Sequence, residues 1–289
     1  MKYRIEHTNT FRYDTPVDQS MNYIRLKPKT DECQRLLEYQ SDITPASLTK
    51  ETTDLWGNTV ETFFIPEIHE VLEVKTTSTV SIQRSPFIRM VDYTLEMRNI
   101  FHSNLFRKHY LAFLKDTPYT FLYIDQIEEV VKEIGENTNP VQFSLDVMGY
   151  VYEKFSYDTE ATNVNTKASE SLPLQRGVCQ DFAHVMLGIL RANSIPARYV
   201  SGYLYVGEKS ALVGDAASHA WVEVMVPGIG WCGLDPTNNV EALENHIRIS
   251  TGRDYSDLSP LQGVYRGGSQ SLEVSVSCTL LDAPVEQVY

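Results

Sequence analysis

The feature that most constrains this chain is a change of hydrophobic period along its length. Near the N-terminus the period is two. Tyr3, Ile5 and His7 alternate with Lys2, Arg4 and Glu6, and Val74, Thr76, Ser78, Val80 and Ile82 repeat the pattern. Successive strand side chains point to opposite faces, so both stretches read as half-buried strands. Asp54-Leu55-Trp56-Gly57-Asn58-Thr59 is a turn signal ahead of the apolar Val60–Ile65 run. Short strands punctuated by Pro and Gly predict a β-sandwich-type domain over residues 1–84. Residues 85–120 lack a clear period but are rich in Phe, Tyr and Leu, which predicts an ordered connector.

From residue 121 the period lengthens. Ile127, Val130, Val131 and Ile134 sit at helical spacing, and after Pro140 a second stripe runs through Leu145, Met148, Val151, Tyr152 and Phe155. Thr159–Glu170 is polar and reads as a surface loop. From Gly177 onward one helix gives way to a run of strands, so the whole is expected to be α+β, a helix packed on an antiparallel sheet.

Composition removes several function classes. Of 289 residues 42% are hydrophobic and 22% charged, ordinary globular usage rather than disorder. The net charge of −13 opposes a phosphate backbone, and no basic patch offsets it, so nucleic acid is not an expected partner. No apolar stretch approaches the ~20 residues that span a bilayer, and charges interrupt the N-terminal apolar residues, unlike a signal peptide. Cys33, Cys179, Cys232 and Cys278 are widely spaced with no C-x-x-C pair. Reduced thiols in a cytoplasmic protein are the expectation, with no metal and no cofactor.

Arg176-Gly177-Val178-Cys179-Gln180-Asp181-Phe182-Ala183-His184 is the most informative stretch. Phe182, Val185, Met186, Ile189 and Leu190 mark a buried helical stripe ending near Asn193, and Cys179 falls on the same side, in the first turn. The free N–H groups and positive dipole end of a helix favour a thiolate there, although a buried free cysteine is commonly inert. Gly177 would let the preceding loop approach closely. His184 lies roughly 140° round the helix from Cys179 and groups with Gln180, Gly188 and Arg191 on the side expected to be exposed. Asp181 is expected to stabilise the helix N-terminus or to pair with an arginine such as Arg198.

Ser218–Val226 alternates as a strand, with Ala220, Val222, Val224 and Val226 on one face and His219, Trp221 and Glu223 on the other. Pro227-Gly228-Ile229-Gly230 is a hairpin turn, and Trp231–Asp235 returns antiparallel, bringing Asp235 toward His219. Cys232 falls on the face opposite Asp235. A nucleophile, a histidine that takes its proton and a carboxylate that orients the histidine are the parts of activated-thiol catalysis.

This order and these contexts resemble the transglutaminase-like superfamily of papain-type cysteine enzymes. The matching segments are Gly177–His184, Ile195–Tyr203, Ser218–Val224, Leu234-Asp235-Pro236-Thr237-Asn238, Gly252-Arg253-Asp254-Tyr255 with Asp257, and Leu272–Cys278. The N-terminal third resembles the β-domain that precedes this core in bacterial members. The resemblance implies a catalytic domain over 121–289, with Cys179 as nucleophile, His219 as base and Asp235 as orienter. It also implies acyl transfer on a peptide or protein substrate, hydrolysis being favoured over amine transfer. The backbone N–H of Cys179 is one expected oxyanion donor; Gln175 and Trp221 are candidate side-chain donors or cleft residues, packing beside His219 being the simpler role for Trp221. Arg253 and Asp254 read equally as cleft or as a loop held by an Arg–Asp pair.

Overall fold

The computed structural model describes residues 1–84, 88–135, 139–207 and 218–282. Residues 85–87 of the expected connector, and 136–138, 208–217 and 283–289 of the expected catalytic region, lie outside the described residues. The chain opens with β1 (Lys2–Ile24), β2 (Gln34–Thr44), β3 (Lys50–Thr53), β4 (Thr59–Ile65) and β5 (His69–Ile82). Helices follow: α1 (Leu95–Phe101), α2 (Asn104–His109), α3 (Leu111–Leu114), α4 (Ile124–Ile134) and α5 (Pro140–Lys154). The central region comprises β6 (Ser156–Tyr157), α6 (Ala168–Leu174), β7 (Arg176–Gly177), α7 (Cys179–Ala192), β8 (Ala197–Leu204), β9 (His219–Val226), β10 (Gly230–Asp235), β11 (Val240–Glu241) and β12 (His246–Gly252). The chain continues through α8 (Tyr255–Leu258), β13 (Leu261–Arg266) and β14 (Gln270–Asp282).

β1 is 23 residues long because it serves two halves of one sheet. Lys2–Tyr13 pairs antiparallel with β5 and β14, and after an irregularity Ser20–Ile24 pairs with β4 and β13. Phe11, Tyr13 and Val17 of β1 then pack with Phe63 and Ile65 of β4 and Leu72 and Val74 of β5, which closes a core between the halves. Residues 261–282, near the C-terminus, therefore complete the sheet that the N-terminal third begins.

The second sheet is antiparallel in the order β11-β10-β9-β8-β12. α7 lies on it, with Phe182, Val185, Met186 and Ile189 in one cluster with Ala197, Tyr199, Ala220, Val222 and Val224, and with Val147, Met148 and Val151 of α5. Burying this continuous apolar surface is the main stabilising term. The expected exposed stripe on α7 is not exposed. His184 is wholly buried, between the rings of Tyr119 and Tyr199, and its Nε2 accepts the Tyr255 N–H at 3.2 Å. Arg191 donates to Ala197 O, Thr120 Oγ1 and Arg253 O. A Cβ on Gly188 would collide with the Thr120 carbonyl. Helical period separates apolar from polar faces, but here a polar face is also covered, because Arg191 and His184 Nε2 find partners in the connector and near α8 and Gln180 Nε2 donates to Val164 O.

Part of the polar stretch expected to be loop forms α6, whose N-terminus Glu170 caps by accepting the Lys167 N–H. The Trp56-Gly57-Asn58 turn docks on the second sheet: Asn58 exchanges two hydrogen bonds with the Thr251 backbone, at 2.9 and 3.0 Å. Among the described residues no helix is long and apolar enough to cross a membrane.

Candidate active site

Cys179 is the first residue of α7, as its spacing predicts, and is half-buried at the edge of the core. The loop before it is pinned by Asp181, which accepts the Val178 N–H at 2.9 Å and the Thr162 hydroxyl at 2.6 Å. A Cβ on Gly177 would strike that carboxylate, so only glycine lets the loop sit this close. Burial pushes the Asp181 pKa up, while these donors pull it down. Asp181 thus serves the helix N-terminus; Arg198 pairs instead with Glu223 at 2.6 Å.

β9 and β10 form the expected hairpin, with Leu234 opposite Val222. His219 begins β9 and Asp235 ends β10, and His219 Nε2 meets Asp235 Oδ2 at 2.8 Å with both side chains fully buried. Asp235 accepts four further hydrogen bonds. Thr237 N–H and Asn238 N–H reach Oδ1 at 2.9 and 3.3 Å, and Asn238 Nδ2 and His246 Nε2 reach Oδ2 at 2.8 and 3.0 Å. The Asp235-Pro236-Thr237-Asn238 turn therefore folds back on its own carboxylate, as an Asx turn does. A buried carboxylate is tolerable only when paired and hydrogen-bonded in this way.

The electrostatics follow from the geometry. Burial alone would raise the Asp235 pKa, but the two histidines hold it far below the carboxylate range. Burial works against a charged His219; Asp235, through its charge and hydrogen bond, and Cys179 more than offset this, raising the His219 pKa to about 10. Burial keeps His246 below its ordinary pKa, and the His219 charge pushes the same way, against Asp235. One carboxylate thus holds a cationic and a neutral imidazole. His219 Nδ1 makes no hydrogen bond of ordinary geometry. With Nε2 committed to Asp235, it is the ring atom left to serve the Cys179 sulfur. Cys179 and His219 line one cleft of about 270 Å³.

The ligand atoms of His219, Asp235 and His246 lie within 4.8 Å of one another, a spacing that can hold a metal ion. The hydrogen bonds already described account for this clustering, since both Nε2 atoms aim at one carboxylate oxygen. Trp221 is fully buried and stacks on His219, with ring centroids 6.2 Å apart, and meets His246 edge-on. Gln175 is exposed at the C-terminus of α6 and is not among the cleft residues; its left-handed φ of 51° turns the chain toward α7. Arg253 is held by Asp257 through two hydrogen bonds of 2.9 Å, while Tyr255 reaches the cleft. Cys232 lines a different cavity. Sequence reasoning missed His246, which lies in a strand with nothing local to single it out. It also missed the cleft roles of His7 and Asn9 on β1.

Similarity to known proteins agrees with this architecture. Residues 128–236 match the transglutaminase-like superfamily core and residues 3–81 the bacterial transglutaminase-like N-terminal region. An uncharacterized protein of Mycobacterium leprae is 33% identical over 283 residues, covering 96% of this chain and 98% of that one. The chain belongs to the transglutaminase-like superfamily. A solved structure from Cytophaga hutchinsonii, described as a cysteine-protease candidate, shares the fold with a TM-score of 0.77 at 23% identity, covering 99% of this chain and 92% of that one. A protein-glutamine gamma-glutamyltransferase of Pseudomonas aeruginosa is 34% identical over 129 residues, 40% of this chain but 19% of that protein.

Proposed function

We propose that this protein is a cysteine-dependent acyl-transfer enzyme that hydrolyses peptide-like amides, with Cys179 as nucleophile, His219 as acid–base and Asp235 as its orienter. The observation that carries the reading is the buried His219–Asp235 bond at 2.8 Å, which leaves His219 Nδ1 for a cysteine at a helix N-terminus in the same cleft.

With His219 already an imidazolium, the thiol proton rests on its ring, and Cys179 attacks the amide carbonyl carbon as the paired thiolate. A C–S bond forms and the carbonyl π pair moves to oxygen. The first N–H groups of α7, which have no intrahelical acceptor, are the donors closest in sequence to that oxyanion. Collapse expels the amine, which takes its proton from the His219 imidazolium, and a thioester remains. Water attacks the thioester, giving its proton to His219, and the C–S bond breaks to release the acid. Asp235, fixed by five hydrogen bonds, keeps one tautomer and stabilises the imidazolium at each stage.

The similarity to the Pseudomonas aeruginosa transferase supports a second outcome, in which an amine rather than water resolves the thioester. One experiment separates them: incubation with a peptide library, with and without a lysine-like amine, for wild type and Cys179→Ala. Wild-type cleavage absent from the variant supports hydrolysis, amine incorporation supports transfer, and identical products from both proteins would sink the proposal.

A further inference from the structure

The buried face of β1 breaks its own pattern at the cleft. Tyr3, Ile5, Phe11 and Tyr13 keep this face apolar, but the two positions between them are His7 and Asn9, 2% and 3% exposed. Polar groups on a core-facing row cost free energy unless something uses them. Both line the same cleft as Cys179 and His219. His7 Nδ1 lies 2.7 Å from the Tyr203 hydroxyl of β8, while His7 Nε2 and Asn9 Nδ2 are buried with no partner.

These contacts fix the direction of the hydrogen bonds. A buried tyrosine hydroxyl donates where it can. Tyr203 Oη donating to His7 Nδ1 places the imidazole proton on Nε2, and burial lowers the His7 pKa to about 4, so the ring is neutral. Asn9 lies close enough to oppose that lowering. As placed, neither His7 Nε2 nor Asn9 Nδ2 has a hydrogen-bond partner. Turning the Asn9 amide lets Oδ1 accept from His7 Nε2–H and aims the Nδ2 donors into the cleft. On the β14 side the cleft wall is apolar: Val274, directly opposite Asn9 in the sheet, and Leu272 are 39% and 52% exposed, and Leu261 and Pro260 also line the cleft. No lysine or arginine lines the cleft among the described residues.

We propose that Asn9, held by the Tyr203–His7 pair, is a substrate-positioning residue that donates to a neutral backbone carbonyl of the peptide, with an apolar side chain seated against Leu272 and Val274. The N-terminal β region is on this account part of the substrate site. A neutral donor among apolar groups suits an uncharged carbonyl; a carboxylate would enter without a cationic partner beside Asn9.

This inference rests on the reading of Cys179 as nucleophile, and the test separates the two. Wild type, Asn9→Leu and Asn9→Asp are treated at pH 7 with iodoacetamide and with an acetyl-leucyl chloromethyl ketone, and Cys179 modification is followed by mass. Both reagents report the thiol, but only the second offers a carbonyl and an apolar side chain. The expected result is a roughly three- to tenfold fall in the ketone-to-iodoacetamide rate ratio for both variants, the size of one hydrogen bond. Asn9→Leu preserves volume, so a folded protein is expected. Prompt iodoacetamide labelling with the ratio unchanged in both variants would overturn the Asn9 role alone. So would a wild type that reacts faster with a succinyl-capped ketone than with the acetyl-capped one, because that assigns the site to carboxylates. Cys179 in the wild type reacting no faster than Cys232 and Cys278 would overturn the nucleophile reading and this inference with it.

Discussion

Two buried polar clusters sit four residues apart on the same face of β9, and they are built to opposite ends. At the start of the strand His219 spends Nε2 on Asp235 and leaves Nδ1 uncommitted. In the middle Glu223, 1% exposed, spends both oxygens, with Arg198 on Oε2 and Arg248 on Oε1, each at 2.6 Å. Arg248 continues to Asp31 of the N-terminal region at 2.6 Å, and the Arg198 guanidinium lies 4.2 Å from the Trp231 ring centre. The two arginines hold the Glu223 pKa down against its burial. A cavity of about 440 Å³, larger than the cleft at Cys179, borders this ion network rather than the thiol, so cavity size does not single out the cleft. What separates a site from a brace is an uncommitted reactive atom facing the cavity.

The comparison breaks most cleanly if each cluster is damaged alone. Cys179→Ala is expected to abolish acyl transfer while leaving the unfolding midpoint within a degree or two, since the side chain is half-buried and small. Selective iodoacetamide labelling should vanish with it, because burial pushes Cys232 and Cys278 up to about 12 and keeps them protonated at neutral pH. Glu223→Gln is expected to do the reverse. It leaves two buried guanidinium groups with less compensation, a loss of about 3 kcal/mol in urea unfolding, while Cys179 in the folded fraction labels at the wild-type rate. A Glu223 variant that folds normally but loses labelling would erase the distinction.

Much of this was legible before any coordinates. Period-two alternation placed β1, β5 and β9, because one face of each meets a core. The hairpin turn before Gly230 fixed the return of Asp235 toward His219. What was not legible depends on contacts between distant segments. The covered polar face of α7 needed Thr120, Arg253 and Tyr255, each 62 or more residues from its partner on the helix. His246 lies on β12, which joins the sheet beside β8, on the far side from β10; no local pattern announces that its ring reaches Asp235. Likewise the pairing of β14 with β1 is a contact between the ends of the described chain. It brings Leu272 and Val274 to the cleft, and alternation within either strand is silent about it.

His246 sharpens the comparison within the site itself. If its Nε2 fixes Asp235, His246→Phe should slow Cys179 labelling by roughly tenfold or more, the scale of a hydrogen bond to a charged group. His246→Gln, which can still present a donor, should recover most of the rate. A merely space-filling role predicts the opposite order, with Phe better tolerated than Gln. The labelling rate as a function of pH, measured on all three proteins, distinguishes a mispositioned imidazole from an unfolded one.

The smallest expected effect sets two buried histidines against each other by sign. His7 is lowered to about 4 by burial, so relative to an unfolded value near 6.5 it contributes stability above pH 6.5 that is lost as pH falls toward 4. His219 is raised to about 10 by Asp235 against burial, so its contribution is complete below pH 6.5 and is lost as pH rises toward 10. Urea unfolding of wild type, His7→Phe and His219→Phe between pH 4 and 10 reads both. Removing His7 should flatten the acid limb and leave the alkaline limb alone, with a slope change of at most about 1.4 kcal/mol per pH unit. Removing His219 should flatten the alkaline limb. If His7→Phe leaves the acid limb as steep as in wild type, then His7 carries a proton in the folded state. The neutral Tyr203–His7–Asn9 relay would then have the wrong polarity to aim an amide donor at the substrate.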